Sequence, residues 1–480
     1  MYELTGEEDM MKRIFALVLT ICLLATACCV TAFAANAPAE GVVLRVSGEK
    51  SDGTIVTVAD YRDHTKGWDA ATALANSGKD MKKNDFRQVV VELYADWISA
   101  GGFWDAVRFP EGTRITLNLN GHTIHRGLED WQYNGEVVCV EEKAQVVIQD
   151  GTITGGFNCG GAGGIYIHDD ANVVLNNVNV VGNTVMDDKG SAIAVYNGAT
   201  LTMNGGCLSN NVLNAYPSSY AWTEGALYVA DATAVLSNVV ISGNRFDNYG
   251  SEGVAVSVNG TGTVTLNACT VEDNGKNEGS GANSIFYTHS KDSVLILNNT
   301  VIRNNGIAFT GANGMPSALF EMHGTLMMSG CTVLGNTPAA IFRVWGNCAS
   351  VVADISNCEF TDNPSAVFSY PGDVESYGRA QYNLINCRFR NPETAAAYVF
   401  KGASLADITL TDCDLGNATV ENRGRVKVMA SDGAMTGTML GEGSLSMVAS
   451  LAALAISVAA LGVAIASGKK KDAAKSSDEA

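Results

Sequence analysis

Three features of this 480-residue sequence predict an all-β solenoid of stacked coils. A nine-residue phrase recurs through the middle of the chain. A short apolar strand precedes most copies. Neither the helix nor the leucine spacing of a leucine-rich repeat accompanies them. Hydrophobic residues make up 46% and prolines number only 8, which excludes a disordered or collagen-like chain.

Taken in order, the elements begin with a targeting segment. Lys12 and Arg13 precede the apolar run from Ile14 to Ala27, and Ala32-Phe33-Ala34 supplies a small-x-small cleavage pattern. That order reads as a secretory signal over residues 1–34. The acidic residues before Met11 fit no signal, which makes Met11 the expected start. Residues 35–110 hold N-terminal strands and a short helix. Gly67-Trp68-Asp69-Ala70-Ala71-Thr72-Ala73-Leu74-Ala75 reads as that helix, and Val89-Val90-Val91-Glu92-Leu93 as a strand after it.

The solenoid is assigned to residues 111–425. Leu175-Asn176-Asn177-Val178-Asn179-Val180-Val181-Gly182-Asn183 states the phrase, and copies start at Met203, Leu236, Leu266, Leu297, Met328 and Ile355. Looser copies start at Leu119, Ile148, Leu384 and Leu410, so the starts recur every 26 to 33 residues. The first and sixth positions are apolar. Val173 and Leu175 face inward before the third position, Val178 and Val180 after it, so the parity shifts there and the backbone must bend. Asp150, Asn177, Gly205, Asn238, Asn299, Gly330, Asn357, Asn386 and Asp412 occupy that position, and these residue types accept left-handed angles. Ala268 is the exception, and its coil is expected to bend differently. Asparagines at the bend are expected to form amide ladders. At the ninth position, exchanging Asn244 for Ser is expected to matter far less than placing Asp at Ile241.

Residues 149–418 resemble the right-handed parallel β-helix family of secreted bacterial proteins, the pectin lyase-like fold. Ile115-Thr116-Leu117-Asn118-Leu119-Asn120-Gly121-His122-Thr123-Ile124 is similar to that family's frequent first-coil phrase. The phrase count gives ten to eleven coils, and the resemblance implies that the short helix caps the open end of the stack.

Residues 426–443 read as a linker and 444–467 as a transmembrane helix. Leu445 to Ala466 is 22 residues without a charge, long enough for about 33 Å of helix. Lys469-Lys470-Lys471 follows and places residues 468–480 in the cytoplasm. The solenoid then faces outside a bacterial cell, held by a single span.

Of 12 cysteines, Cys22, Cys28 and Cys29 lie in the signal. Cys269, Cys331, Cys358, Cys387 and Cys413 share the fourth position of the phrase, where they read as small, reduced, apolar fillers.

The formal charge of −19 repels phosphate backbones and makes nucleic acid an unsuitable partner. The loops after the phrase are the variable element. Coils in register bring them to one edge, where Tyr216, Tyr220, Trp222, Glu224, Asp247, Tyr249 and Glu252 gather. Aromatic rings beside carboxylates can stack on sugars and hydrogen-bond their hydroxyls. A solvated edge whose aromatics cover the coils is the other reading. His289 and His323 lie singly and lack metal-ligand spacing. The hydrolase pattern implied by the resemblance joins acidic residues with Gly-His-Gly and Arg-x-Lys, and no Gly-His-Gly is present. No cofactor is expected, and calcium enters only if the chain is a lyase. The expected role is an adhesin-like surface protein that contacts an extracellular glycan or a host or cell-surface component. A polysaccharide lyase or glycoside hydrolase and a passive envelope spacer are the alternatives.

Overall fold

A computed structural model describes residues 38–99, 106–215, 223–247, 252–275, 284–306, 317–344, 350–363, 366–369, 379–390, 399–402, 406–416, 419–422, 425–429 and 435–439. The chain divides into two compact units, Met1–Val42 and Val43–Ala480. In the first, the Val42 N–H donates to the Ala39 carbonyl at 3.2 Å and closes a turn. The second is a parallel β-solenoid of about nine turns.

Nine turns is fewer than the ten or eleven that the phrase count implies. Among the described residues the outermost rungs pair with reversed strands. Leu44–Lys50 runs antiparallel to both Ile55–Tyr61 and Phe86–Leu93, and Arg425–Met429 runs antiparallel to Met435–Met439.

Asn172–Val181 shows how one coil is made. Val173, Leu175, Val178 and Val180 are buried, and Asn177 between the pairs has φ 52°. The predicted bend is therefore present. It recurs at every third position named above, from Asp150 to Asp412. Ala268 has φ 50° and bends like its neighbours, which corrects the expectation for its coil. A second left-handed corner falls at the eighth position: Gly182, Asn210, Gly243, Asp273, Asn304, Gly335 and Asp362. The first bend lies within a 24-stranded first sheet, and the second leads out of it toward a 12-stranded second sheet, with a short third sheet of four strands between them in four of the coils.

The interior holds one aliphatic and aromatic column. Phe286, Phe320 and Phe342 stack at 4.8 and 5.3 Å, and Phe360 lies on Phe389 at 4.7 Å. Each such ring is worth roughly 1.5–3 kcal/mol of burial. The helix His64–Asn76 is capped by the Asp63 carboxylate, which accepts from the Lys66 N–H at 3.0 Å. It buries Trp68 and Ala71, and Trp68 packs edge-on against Trp97 and Phe109.

Two columns do more than fill space. The ninth-position asparagines, Asn183 through Asn363, are buried, and each Nδ2 from Asn183 to Asn336 donates to the next Oδ1 at 2.9–3.1 Å. Each also donates to the sixth-position carbonyl of the preceding coil, as Asn244 does to Leu208 at 2.9 Å. The bend asparagines form only partial ladders, such as Asn386 to Asn357 at 2.8 Å. At the fourth position the thiols are donors as well as fillers. Cys269, Cys331, Cys387 and Cys413 reach the first-position carbonyls of Leu236, Leu297, Ile355 and Leu384 at 3.3–3.5 Å. Thr300 does the same to Leu266 at 3.2 Å. These cysteines are free thiols.

Among the described residues no helix is long and apolar enough to cross a membrane. The predicted signal over residues 1–34 and the predicted span from Leu445 to Ala466 lie outside them.

Candidate functional site on the loop edge and second sheet

A second-sheet strand follows each eighth-position corner along the chain, in four coils after a short third-sheet strand. Alternation on that strand is strict. Ile165, Ile193, Leu227, Val256, Phe286, Phe320 and Phe342 pair in register and point inward. The residues after them alternate to the outer face: Tyr166, Ala194, Tyr228, Ser257, Tyr287, Glu321 and Arg343. Lys189, Glu224 and Glu252 stand on successive rungs beside this face, joined by parallel bridges.

The predicted residues divide three ways. Glu224 and Glu252 are brought together, but they are buried, at 0% and 8% exposure, which corrects the picture of a solvated carboxylate edge. Asp247 stays at the surface, where it accepts from Arg245 Nε at 3.1 Å. Tyr216, Tyr220, Trp222 and Tyr249 lie outside the described residues.

Glu224 is surrounded by donors. Ser257 Oγ donates to Oε2 at 2.6 Å, while Lys189 Nζ and His289 Nδ1 lie 3.3 and 3.5 Å from Oε1. Burial alone would raise this carboxyl, but His289, Lys189 and Ser257 outweigh it and hold the group below its ordinary value. Lys189 also lies 5.0 Å over the Tyr228 ring, whose hydroxyl accepts from Asn259 Nδ2 at 3.0 Å.

One rung on, the balance reverses. Glu252 shares a hydrogen bond with Tyr287 and faces the buried Glu321. Arg343 donates to Glu321 Oε2, opposing there the effect of burial. Burial raises both carboxyls of the pair, Glu321 despite Arg343, and Glu252 is pushed up to about 8 by burial and by the Glu321 charge. His323 lies 6.4 Å from His289 between ring centroids, and both rings pack edge-on against Tyr287. The two histidines thus belong to one cluster. Burial, with His289 and Arg343 nearby, lowers His323 to about 4 and keeps it neutral.

Lys189 belongs to a variable loop visible in the sequence, but sequence reasoning missed Tyr287, Glu321 and Arg343. The available signal was a polar residue in mid-strand, as in Phe286-Tyr287-Thr288, Phe320-Glu321-Met322 and Phe342-Arg343. It also missed the first loop of the same edge. Trp131 and Tyr133 pack edge-on at 5.6 Å, and Tyr133 is 59% exposed. The loop is braced from below by buried Arg126, which donates to the Glu136 and Asn134 carbonyls. Its Gln132 pairs with Asn158 in a parallel bridge.

Among the described residues one trio, Cys139, Glu141 and His168, has the atom types and closeness of metal ligands. Arg108 Nη1 lies 3.2 Å from the thiol sulfur and 3.0 Å from Glu141 Oε1, with Nη2 2.8 Å from Glu136. The guanidinium supplies the positive charge of this cluster, and burial pushes the Cys139 thiol up, away from the thiolate a metal needs.

No family model, curated protein or solved structure matches this chain.

Proposed function

We propose that the chain is a secreted, membrane-tethered surface protein of the pectin lyase-like β-helix type, whose solenoid binds an extracellular glycan along its loop edge. One observation carries this reading. Trp131 and Tyr133 stand edge-on on a braced loop between the first and second sheets, with Trp131 half-buried and Tyr133 exposed. Exposed aromatic rings held in place stack on sugar faces at low entropic cost. The test is a glycan array probed with the detergent-solubilised full chain. The reading expects a ligand whose retention drops in Trp131→Ala. An array with no ligand would overturn it and leave the envelope spacer.

A second reading, cleavage of the glycan, is favoured by Glu224 and Glu252. Neighbouring carboxyls, one ionised and one protonated, are the arrangement that general base and general acid roles require. Incubation with polysaccharides, with and without calcium, separates the readings. Release of reducing or unsaturated ends, abolished in Glu252→Gln, would establish cleavage.

A further inference from the structure

The outer face of the first sheet is regular and free of charge over seven successive strands. Each strand sets three residues outward, as Asn172, Val174 and Asn176 alternate with the buried Val173 and Leu175. The first of the seven strands opens at Gln145 and the last at Thr325. Their outward positions hold only Thr, Asn, Gln, Ser and aliphatic residues, in register from strand to strand. Asn204 donates to Asn176 and Asn298 to Asn267, each at 3.0 Å, which orders the outer row along the stack. Charge returns at the two ends, as exposed Arg114 on the strand before and exposed Asp354 on the strand after.

The middle row of this face reads the same in both directions. Counted outward from Val235, Thr202 matches Thr265, Val174 matches Ile296 and Val147 matches Met327. Five of these seven are half-buried, while Val235 is 8% and Thr265 2% exposed. A second copy turned over about an axis along the Val235 strand therefore sets aliphatic groups on aliphatic groups and threonine on threonine. An isologous interface requires that self-complementarity. The flanking rows are polar and uncharged, which surrounds an apolar centre with a polar rim.

The end charges select the sense of pairing. With the two stacks antiparallel, Arg114 of each copy comes beside Asp354 of the other, whereas parallel stacks would set Asp354 against its own copy. Strands about 4.8 Å apart and alternate residues about 6.7 Å apart make the face about 600 Å², so two copies bury about 1,200 Å², the size at which stable interfaces begin. The charge of −19 lies wholly outside this face, so copies meet here without like-charge repulsion across the contact.

We infer that two copies of this chain pair antiparallel through the outer face of the first sheet, about a two-fold axis along the Val235 strand. The inference is independent of the glycan reading.

The test is sedimentation equilibrium of the full chain in density-matched detergent, with circular dichroism of each variant as the check on folding. The parent is expected to sediment as a dimer. Val174→Glu and Ile296→Lys should each weaken the dimer at least about tenfold, because each buries a charge against an aliphatic partner. Joined in one chain they should restore it, since antiparallel copies place the introduced carboxylate opposite the introduced amine. Arg114→Glu should weaken it about threefold or more, and adding Asp354→Arg should restore it. Arg114 and Asp354 are exposed, so this second pair decides even where the first misfolds. A monomeric parent would overturn the inference and leave the face to another ligand. A dimer indifferent to Val174→Glu and Arg114→Glu would put the contact elsewhere and overturn it as well. Single variants that dissociate, with combined variants that do not recover, would overturn the antiparallel sense.

Discussion

Asn244 Nδ2 sits 2.9 Å from Asn274 Oδ1, and Asn274 repeats that contact on Asn305 at 2.9 Å. The column runs through buried surroundings, so a missing amide leaves donors and acceptors on two adjacent coils without partners. Asn244→Ser is expected to cost about 2–4 kcal/mol in urea denaturation. Asn204→Ser removes a ladder contact at a half-buried second position and is expected to cost at most about 1 kcal/mol. Equal costs would show that the buried column has no special role.

Stability should depend on pH through Glu252. Its unfolded carboxyl titrates near 4.5 and its folded one near 8. Between those values the native state keeps a proton that the unfolded chain has released, so rising pH favours unfolding. The contribution is complete below about 4.5 and gone above about 8, a change on the order of a few kcal/mol. Glu252→Gln cannot ionise. Its urea midpoint should show a flatter pH profile and exceed the parent's above pH 8. Parallel profiles would show that the folded chain keeps no proton on Glu252.

Ala268 should be improvable. An alanine in the left-handed region is strained by roughly 1–2 kcal/mol, and its side chain is exposed, so replacing it opens no cavity. Ala268→Gly is expected to stabilise by about 0.5–1 kcal/mol after the extra freedom of the unfolded glycine is subtracted. A lower melting temperature would show that the alanine relieves something else in that coil.

Donation by the thiols can be separated from filling. Cys331→Thr retains a donor for the Leu297 carbonyl, as Thr300 does for Leu266, whereas Cys331→Val does not. The threonine variant is expected to be about 1 kcal/mol the more stable in urea. Native alkylation followed by mass spectrometry should leave Cys269, Cys331, Cys358 and Cys387 unmodified until denaturant is added.

Much of the coil could be read from residues alone, because each position answers to a local rule. The inward row follows from alternation, and the first bend from Asn, Asp and Gly at one place in the phrase. Ala268 shows the limit of that reasoning. Its neighbours on both sides are already bent, and a strand stacked between them bends with them despite its side chain. The outer-face cluster was hidden for another reason. Glu224, Glu252, Glu321 and Arg343 come from separate coils, and only register brings them together. Singly, each looks like a solvated charge. The ninth-position Asn recurs in every close copy of the phrase, so its stacking was legible, but its burial was not, because a polar residue at a loop's start reads as solvated.

The reversed strands at the two ends of the first sheet set how such a chain can change length. A parallel stack is in principle a template for its own continuation, but a ladder whose terminal rung changes direction offers an incoming copy the wrong polarity. Duplicated or deleted modules are therefore accommodated between the ends, leaving both terminations intact, and whole-coil duplication becomes the natural route by which relatives of this protein would gain or lose reach.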